Sequence, residues 1–128
     1  MSKFSLSRSF ILGAALCVMG APAYAAGDVD KGKKVFKKCK ACHMVDKEKN
    51  GVGPHLVGLF GRTAGTLPGY KYSDAMIAHA VVWDDGTLSE YLAAPKKVVK
   101  GTKMAFRGLK KEKDIENIIA YLKEATAK

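Results

Sequence analysis

The densest chemistry in the chain lies between Lys37 and Val45. There Cys39-Lys40-Ala41-Cys42-His43 sets two thiols three residues apart, with an imidazole directly after the second. Three kinds of site use such a cluster. A thioredoxin-like redox disulfide wants a strand–helix–strand setting, and no convincing strand can be read in this chain. A zinc site wants four ligands; Cys39, Cys42, His43, His55 and His79 can be counted, but His55 and His79 sit singly, without a paired ligand spacing. The third reading, C-x-x-C-H, is the signature of c-type haem attachment. Each thiol adds across one vinyl group, so both sulfurs must project from one side of a helical turn, as an i, i+3 pair does. His43 is then placed against the iron as the proximal imidazole.

The other face of the iron needs a second ligand or an open position. The candidate thioethers are Met44, Met76 and Met104, and the candidate nitrogens are His55 and His79. Met44 adjoins the proximal ligand and cannot reach round the ring. Met76 falls in a short helical piece, where filling the core is its ordinary role. Met104 lies in "VVKGTKMAF", a glycine-containing loop far downstream of His43, and is favoured because such a loop can cross to the far side. A thioether opposite an imidazole favours reduced iron and raises the potential. It also fills the place that oxygen or peroxide would need, which argues for electron transfer over catalysis. A haem enzyme or gas binder with Met104 only weakly held, and a haem-bearing subunit of a larger complex, are the competing readings.

The elements that must position these residues are helical. Asp28 can cap a first helix with Val29, Val35 and Phe36 as apolar positions and Gly32 one turn before Phe36, a place for close backbone approach. Asn50 to Gly69 is glycine-rich loop punctuated by Pro54 and Pro68. Ser73 and Asp74 open a short helix through about Ala80. Thr87-Leu88-Ser89-Glu90 reads as a capping box, opening a helix that stops before Pro95; from there a loop is expected to about Gly108. Ile115, Ile118, Ile119 and Leu122, with Tyr121 beside them, mark a C-terminal helix. Loops this long in so small an all-α domain are a puzzle unless they wrap something. A covalent porphyrin would be that missing core.

Residues 1–25 read as a secretory signal: Lys3 and Arg8, an apolar run from Phe10 to Met19 too short to span a bilayer, then Ala23-Tyr24-Ala25. The cut is expected near Ala25/Ala26, leaving one domain over 26–128. Cys17 departs with the signal, since Leu16 stands where a lipoprotein cysteine wants a small residue. The remaining chain has 20 basic and 12 acidic residues, a formal +8. In an exported protein that charge suits acidic protein patches or an anionic membrane surface, not nucleic acid.

With "GKKVFKKCKACH", "GVGPHLVGLFGRTAGTLPGYKYSDAM", Trp83, "LSEYLAAPKK", "KGTKMAF" and "IENIIAYLK" taken together, the chain resembles class I cytochrome c. Within that class it looks like the soluble bacterial periplasmic relatives of mitochondrial cytochrome c, over nearly all of 26–128. The resemblance implies a small helical fold of three to five helices with long loops around one covalent haem c. It implies attachment at Cys39 and Cys42, axial ligands His43 and Met104, and the Pro54 carbonyl orienting the imidazole. It further implies that Arg62, Tyr72 and Trp83 bond a buried propionate, that Tyr91 and Thr102 lie on the methionine side, and that Phe106 covers the haem edge. Gly32 and Phe36 would cross Ile118 and Tyr121.

Two departures stand out. Met76 replaces an Asn that orders water near the haem in mitochondrial members, and Lys100 replaces a Pro usual in the methionine loop. Lys100 and Lys103 are then candidate replacement ligands at high pH. The implied function is a monomeric periplasmic one-electron shuttle, not an enzyme, with only peripheral membrane encounters. Lys37, Lys38, Lys40, Lys96, Lys97, Lys100, Lys103, Lys110 and Lys111 would steer acidic partners such as a cytochrome bc complex, an oxidase, a reaction centre or a dehydrogenase.

Overall fold

Asp28 starts the first helix, α1 (Val29–Phe36), because its carboxylate accepts the Lys31 N–H at 2.9 Å and satisfies one of the free donors at the helix end. Its own backbone N–H donates to the Asn117 side chain at 2.8 Å, which ties the start of the chain to the last helix. The structure is a computed structural model and describes residues 27–128. The expected signal segment, its Cys17 and the cut near Ala25/Ala26 lie outside the described residues.

Five helices follow in order: α1, α2 (Asp74–His79), α3 (Asp85–Ala93), α4 (Pro95–Val98) and α5 (Glu112–Ala125). No strand forms among the described residues; the one extended contact is an isolated antiparallel bridge between Thr63 and Val82. The all-α class expected from the sequence is therefore correct. None of these helices is long and apolar enough to cross a membrane.

The pairing of α1 with α5 frames the molecule. Ile115, Ile118, Ile119 and Leu122 are buried on one face of α5, and each such side chain contributes roughly 1.5–3 kcal/mol. The two backbones meet at Gly32, where a Cβ would collide with the Asn117 carbonyl and lie 2.6 Å from the Tyr121 Cβ. Phe36 then packs on Tyr121 with ring centroids 5.4 Å apart. A glycine inside a helix costs about 0.5–1 kcal/mol. Here it is the condition for the crossing.

Two expectations about elements are corrected. The third helix begins at Asp85, not after Thr87. Asp84 caps it by accepting the Thr87 N–H at 2.8 Å, while the Thr87 hydroxyl accepts the Asp84 N–H at 2.9 Å. Thr87 is thus the last residue of a capping box, at N3, and not its first; a carboxylate at the positive helix end outcompetes a hydroxyl one turn later. The stop before Pro95 is as expected. Beyond it the sequence reading had only loop, yet Pro95 opens the single turn α4, with its missing N–H at a position where none is needed.

Helix α2 starts as expected, with Ser73 accepting the Met76 N–H at 3.1 Å. Its end is unusual. Ala80 caps it in the left-handed region at φ 46° and ψ 26°, the only non-glycine with positive φ among the described residues. That geometry crowds Cβ against the following carbonyl at a cost of about 1–2 kcal/mol, which glycine avoids. Glycine's extra freedom in the unfolded chain returns part of the gain. Ala80→Gly is expected to stabilise the haem-loaded protein by about 0.5–1 kcal/mol and raise its melting temperature by roughly 2–6 °C. An unchanged or lower midpoint in thermal unfolding would show that the surrounding chain already absorbs the strain.

Candidate functional site

Beyond α1 the backbone continues in turns that carry the cysteine motif. Cys39 N–H bonds the Phe36 carbonyl at 2.8 Å, Cys42 N–H bonds Cys39 O at 3.1 Å, and His43 N–H bonds the same oxygen at 3.0 Å. These i+3 and i+4 bonds wind Cys39–His43 into one helical turn, as the attachment chemistry requires. Neither cysteine is in a disulfide, and both are partly exposed. Before attachment, burial and the neighbouring Cys42 push the Cys39 thiol up to about 11. Among the described residues no three His, Cys, Asp or Glu side chains gather as a metal-binding group.

All three motif side chains line one cavity of about 650 Å³ that runs into the centre of the molecule. Its walls come from every part of the chain: Phe36 of α1, Leu56 and Leu59 of the long loop, Leu88, Tyr91 and Leu92 of α3, Met104 and Phe106 of the downstream loop, and Ile118 and Leu122 of α5. The volume and the mostly apolar lining suit a large flat cofactor.

His43 is held in one orientation. Its Nδ1 lies 2.7 Å from the Pro54 carbonyl, which can only accept, so Nδ1 carries the proton and Nε2 keeps its lone pair. Burial, reinforced by the charge of Arg62, holds the imidazole below its ordinary value against the opposing effect of that bond, so the ring is neutral and able to ligate. The loop that supplies Pro54 is itself fastened, with His55 N–H on Asn50 Oδ1 at 3.0 Å and Gly53 N–H on Cys42 O at 2.9 Å.

Gly53, which sequence reasoning passed over, is part of the site. A Cβ there would lie 2.6 Å from His43 Cε1. The glycine of "GVGP" was the available signal. Tyr70 was also missed; it lines the cavity and donates to Val52 O at 2.9 Å.

On another part of the wall, two hydroxyls and a thioether form a closed unit. The Tyr91 hydroxyl lies 3.2 Å from Thr102 Oγ1 and 3.9 Å from the Met104 sulfur, while Thr102 Oγ1 also accepts the Met104 N–H at 3.3 Å. The loop carrying Met104 is tied across to the segment before α2 by Lys103, whose Nζ donates to the Lys71 carbonyl at 2.7 Å. Met76 is buried in the core and lines the cavity, which agrees with its reading as a filler. His79 lies outside the wall, 6.1 Å from the Trp83 ring.

Of the eleven residues expected to bind the cofactor, the structure brings ten to this wall: Cys39, Cys42, His43, Pro54, Tyr72, Trp83, Tyr91, Thr102, Met104 and Phe106. Arg62 is the exception. It stands one layer back with Nη1 on the Val57 carbonyl at 3.3 Å and Nη2 on the His55 carbonyl at 3.1 Å. Its charge reaches the wall even so, working against the burial that raises the Tyr72 phenol.

Comparison with known proteins agrees with this geometry. The family model "Cytochrome c" matches residues 29–126. Cytochrome c of Sesamum indicum is 55% identical over 103 residues, covering 79% of this chain and 93% of the relative. Cytochrome c2 of Rhodomicrobium vannielii is 52% identical over 113 residues, covering 88% and 90%. The solved structure of cytochrome cH from Methylobacterium extorquens superposes with a TM-score of 0.73 at 49% identity, over 77% of this chain and 99% of that one. A helical domain whose paired cysteines and oriented histidine open on one large apolar cavity, and whose sequence runs at half identity through these proteins, belongs to the cytochrome c family: an electron carrier, not an enzyme, with haem c joined covalently through Cys39 and Cys42.

Proposed function

We propose that the protein is a soluble one-electron shuttle with His43 and Met104 as axial ligands, passing electrons between periplasmic or membrane complexes of a respiratory or photosynthetic chain. The observation that carries this reading is the Tyr91–Thr102–Met104 unit on the same cavity wall as the oriented His43. The bound haem supplies the reversible ferric–ferrous couple. The chain's own residues do the rest.

Pro54 fixes the His43 ring and increases its basicity. Thr102 takes the Met104 N–H and so sets the direction of the loop, while the Tyr91 hydroxyl sits against the thioether. A thioether in that position stabilises reduced iron and leaves no place for oxygen or peroxide. Tyr72 and Trp83 line the wall and would donate to a propionate, whose charge Arg62, one layer back, would offset through the field. Phe106 and the apolar walls exclude water, which keeps rearrangement small as the charge changes.

Lys38, Lys71 and Lys103 border the cavity. With the other lysines of Lys37–Lys40 and Lys96–Lys111 they give a positive surface for acidic patches on donor and acceptor proteins, with fast arrival and fast release. The leader read at 1–25 places this traffic in the periplasm, with Ala26 near the start of the mature, monomeric chain.

The ferric protein is expected to show a weak sulfur-to-iron band in the far red at neutral pH, and the reduced protein to bind carbon monoxide slowly. Met104→Ala should abolish the band and make carbon monoxide binding fast. A native protein without the band, or a Met104→Ala variant that keeps it, would overturn the ligand assignment. Oxidation of the reduced protein by its membrane complex should slow by an order of magnitude or more between about 0.01 and 0.3 M ionic strength, because the Debye length falls from ~30 Å to below ~8 Å. A salt-independent rate would remove the electrostatic docking surface.

A further inference from the structure

Among the described residues, one buried side-chain nitrogen or oxygen has no hydrogen-bond partner: Nδ1 of His55. The residue is only 7% exposed. Buried polar groups are nearly always paired, and an exception asks for a reason. The backbone that carries the ring is held on both sides. Its N–H donates to Asn50 Oδ1 at 3.0 Å, and its carbonyl accepts Arg62 Nη2 at 3.1 Å.

That position links the ring to the redox centre by two short routes. Pro54, the residue before it, carries the carbonyl that orients His43. Arg62, fixed on its carbonyl, exerts its charge on His55, His43 and Tyr72 alike. The charged groups that reach the imidazole are Arg62, Glu48 and Lys128. Glu48 and Lys128 form an exposed pair at 3.0 Å on this side of the molecule.

We propose that His55 is a proton site coupled to the carrier's electron. As one electron arrives from the donor protein, the ring binds a solvent proton at Nδ1 more tightly and its fractional protonation rises; as the electron leaves, that fraction returns to solvent. No other bond is made or broken. The sign follows from charge: a proton on His55 adds a positive charge near the iron and so disfavours the ferric state, and reduction correspondingly tightens proton binding. Burial, with Arg62 and Lys128, holds the ring below its ordinary value of 6.5, while Glu48 works the other way. The coupling is therefore expressed on the acid side of neutrality.

The inference rests on electron transfer at the haem and not on Met104 as the sixth ligand, so the far-red band and the pH profile can fail separately. The test is the reduction potential of the haem-loaded protein from about pH 4.5 to 8, with His55→Asn and Glu48→Gln beside it. The native potential should be flat above neutrality and rise as pH falls through the titration of His55. With proton binding about threefold tighter in the reduced state, the rise is about 28 mV at ~59 mV per tenfold change for one electron. His55→Asn should remove the step, and Glu48→Gln should move it to lower pH.

Ring-proton NMR of the native protein reads the same quantity without a variant. His55 should titrate at a higher pH in the ferrous than in the ferric state. Equal titration in both states, a step that survives in His55→Asn, or a native potential with no step overturns the proposal.

Discussion

Everything at the centre of this molecule depends on one hydrogen bond, from His43 Nδ1 to the carbonyl of Pro54 at 2.7 Å. It decides the tautomer and so which nitrogen can ligate. It also explains an expensive piece of backbone. Gly53 must lack a Cβ for the loop to lie against the imidazole, Asn50 must accept the His55 N–H to hold the loop's far side, and Arg62 must brace the carbonyls of His55 and Val57. Proline contributes twice: its φ is fixed, and having no N–H it leaves nothing unsatisfied beside the ring. A loop so long would be conformationally costly on its own. Here its first part is fastened around the histidine, and the rest is tied to Thr126, Trp83 and Val81.

The second constraint is that the cavity and the core are largely the same thing. Nine of the fourteen buried apolar residues also line the cavity: Phe36, Leu59, Met76, Trp83, Leu88, Tyr91, Leu92, Ile118 and Leu122. A domain of this size buries only about two-thirds of its unfolded surface in any case. Giving its centre to a cofactor leaves only Ala64, Val99, Leu109, Ile115 and Ile119 packed by protein away from the cavity, the last two on α5 where it crosses α1. Apolar surface around the cavity is stabilising only when something apolar fills it. The covalent thioethers ensure that the filling does not leave, which is a physical reason to spend two cysteines on attachment in a chain with no disulfide among its described residues.

How far the sequence disclosed this depends on the range of the signal. Local patterns read well: Asp28 as a cap, Ser73 as a cap, the apolar face of α5, the turn that must present Cys39 and Cys42. Competing local signals read less well. Asp84 and Thr87 both belong to capping patterns, and choosing between them needs the hydroxyl's partners, which are the Asp84 N–H and the Val82 carbonyl. The four residues of α4 are too few for any periodicity, so only Pro95 at its start announced it. The wall residues were legible because the family's motifs cover the whole chain, not because their spacing revealed a cavity. Arg62 marks the limit of that carry-over: its place in the motif was clear, but that its guanidinium would be spent on backbone carbonyls depends on how the 55–62 loop turns back on itself. Gly53 was visible only as loop punctuation, since the atom it must avoid belongs to a residue ten positions earlier.

The distribution of polar groups completes the physical picture. An electron carrier works best when little around the redox centre moves as its charge changes, so polar groups in the pocket should be few and already committed. The Tyr91 and Thr102 hydroxyls bond each other, Thr102 also takes the Met104 N–H, and Lys103 is engaged with the Lys71 carbonyl. Met76 adds a wall with no hydrogen-bonding demand where a polar side chain would call for ordered water. Committed groups cannot reorient, and apolar ones have nothing to reorient. On the methionine side, then, little is left to respond to a change of iron charge; the response falls to the Tyr72 and Trp83 donors and to groups outside the wall. Arg62 is fixed there by its two carbonyls, which leaves the uncommitted nitrogen of His55 as the buried side-chain atom among the described residues that is free to change state.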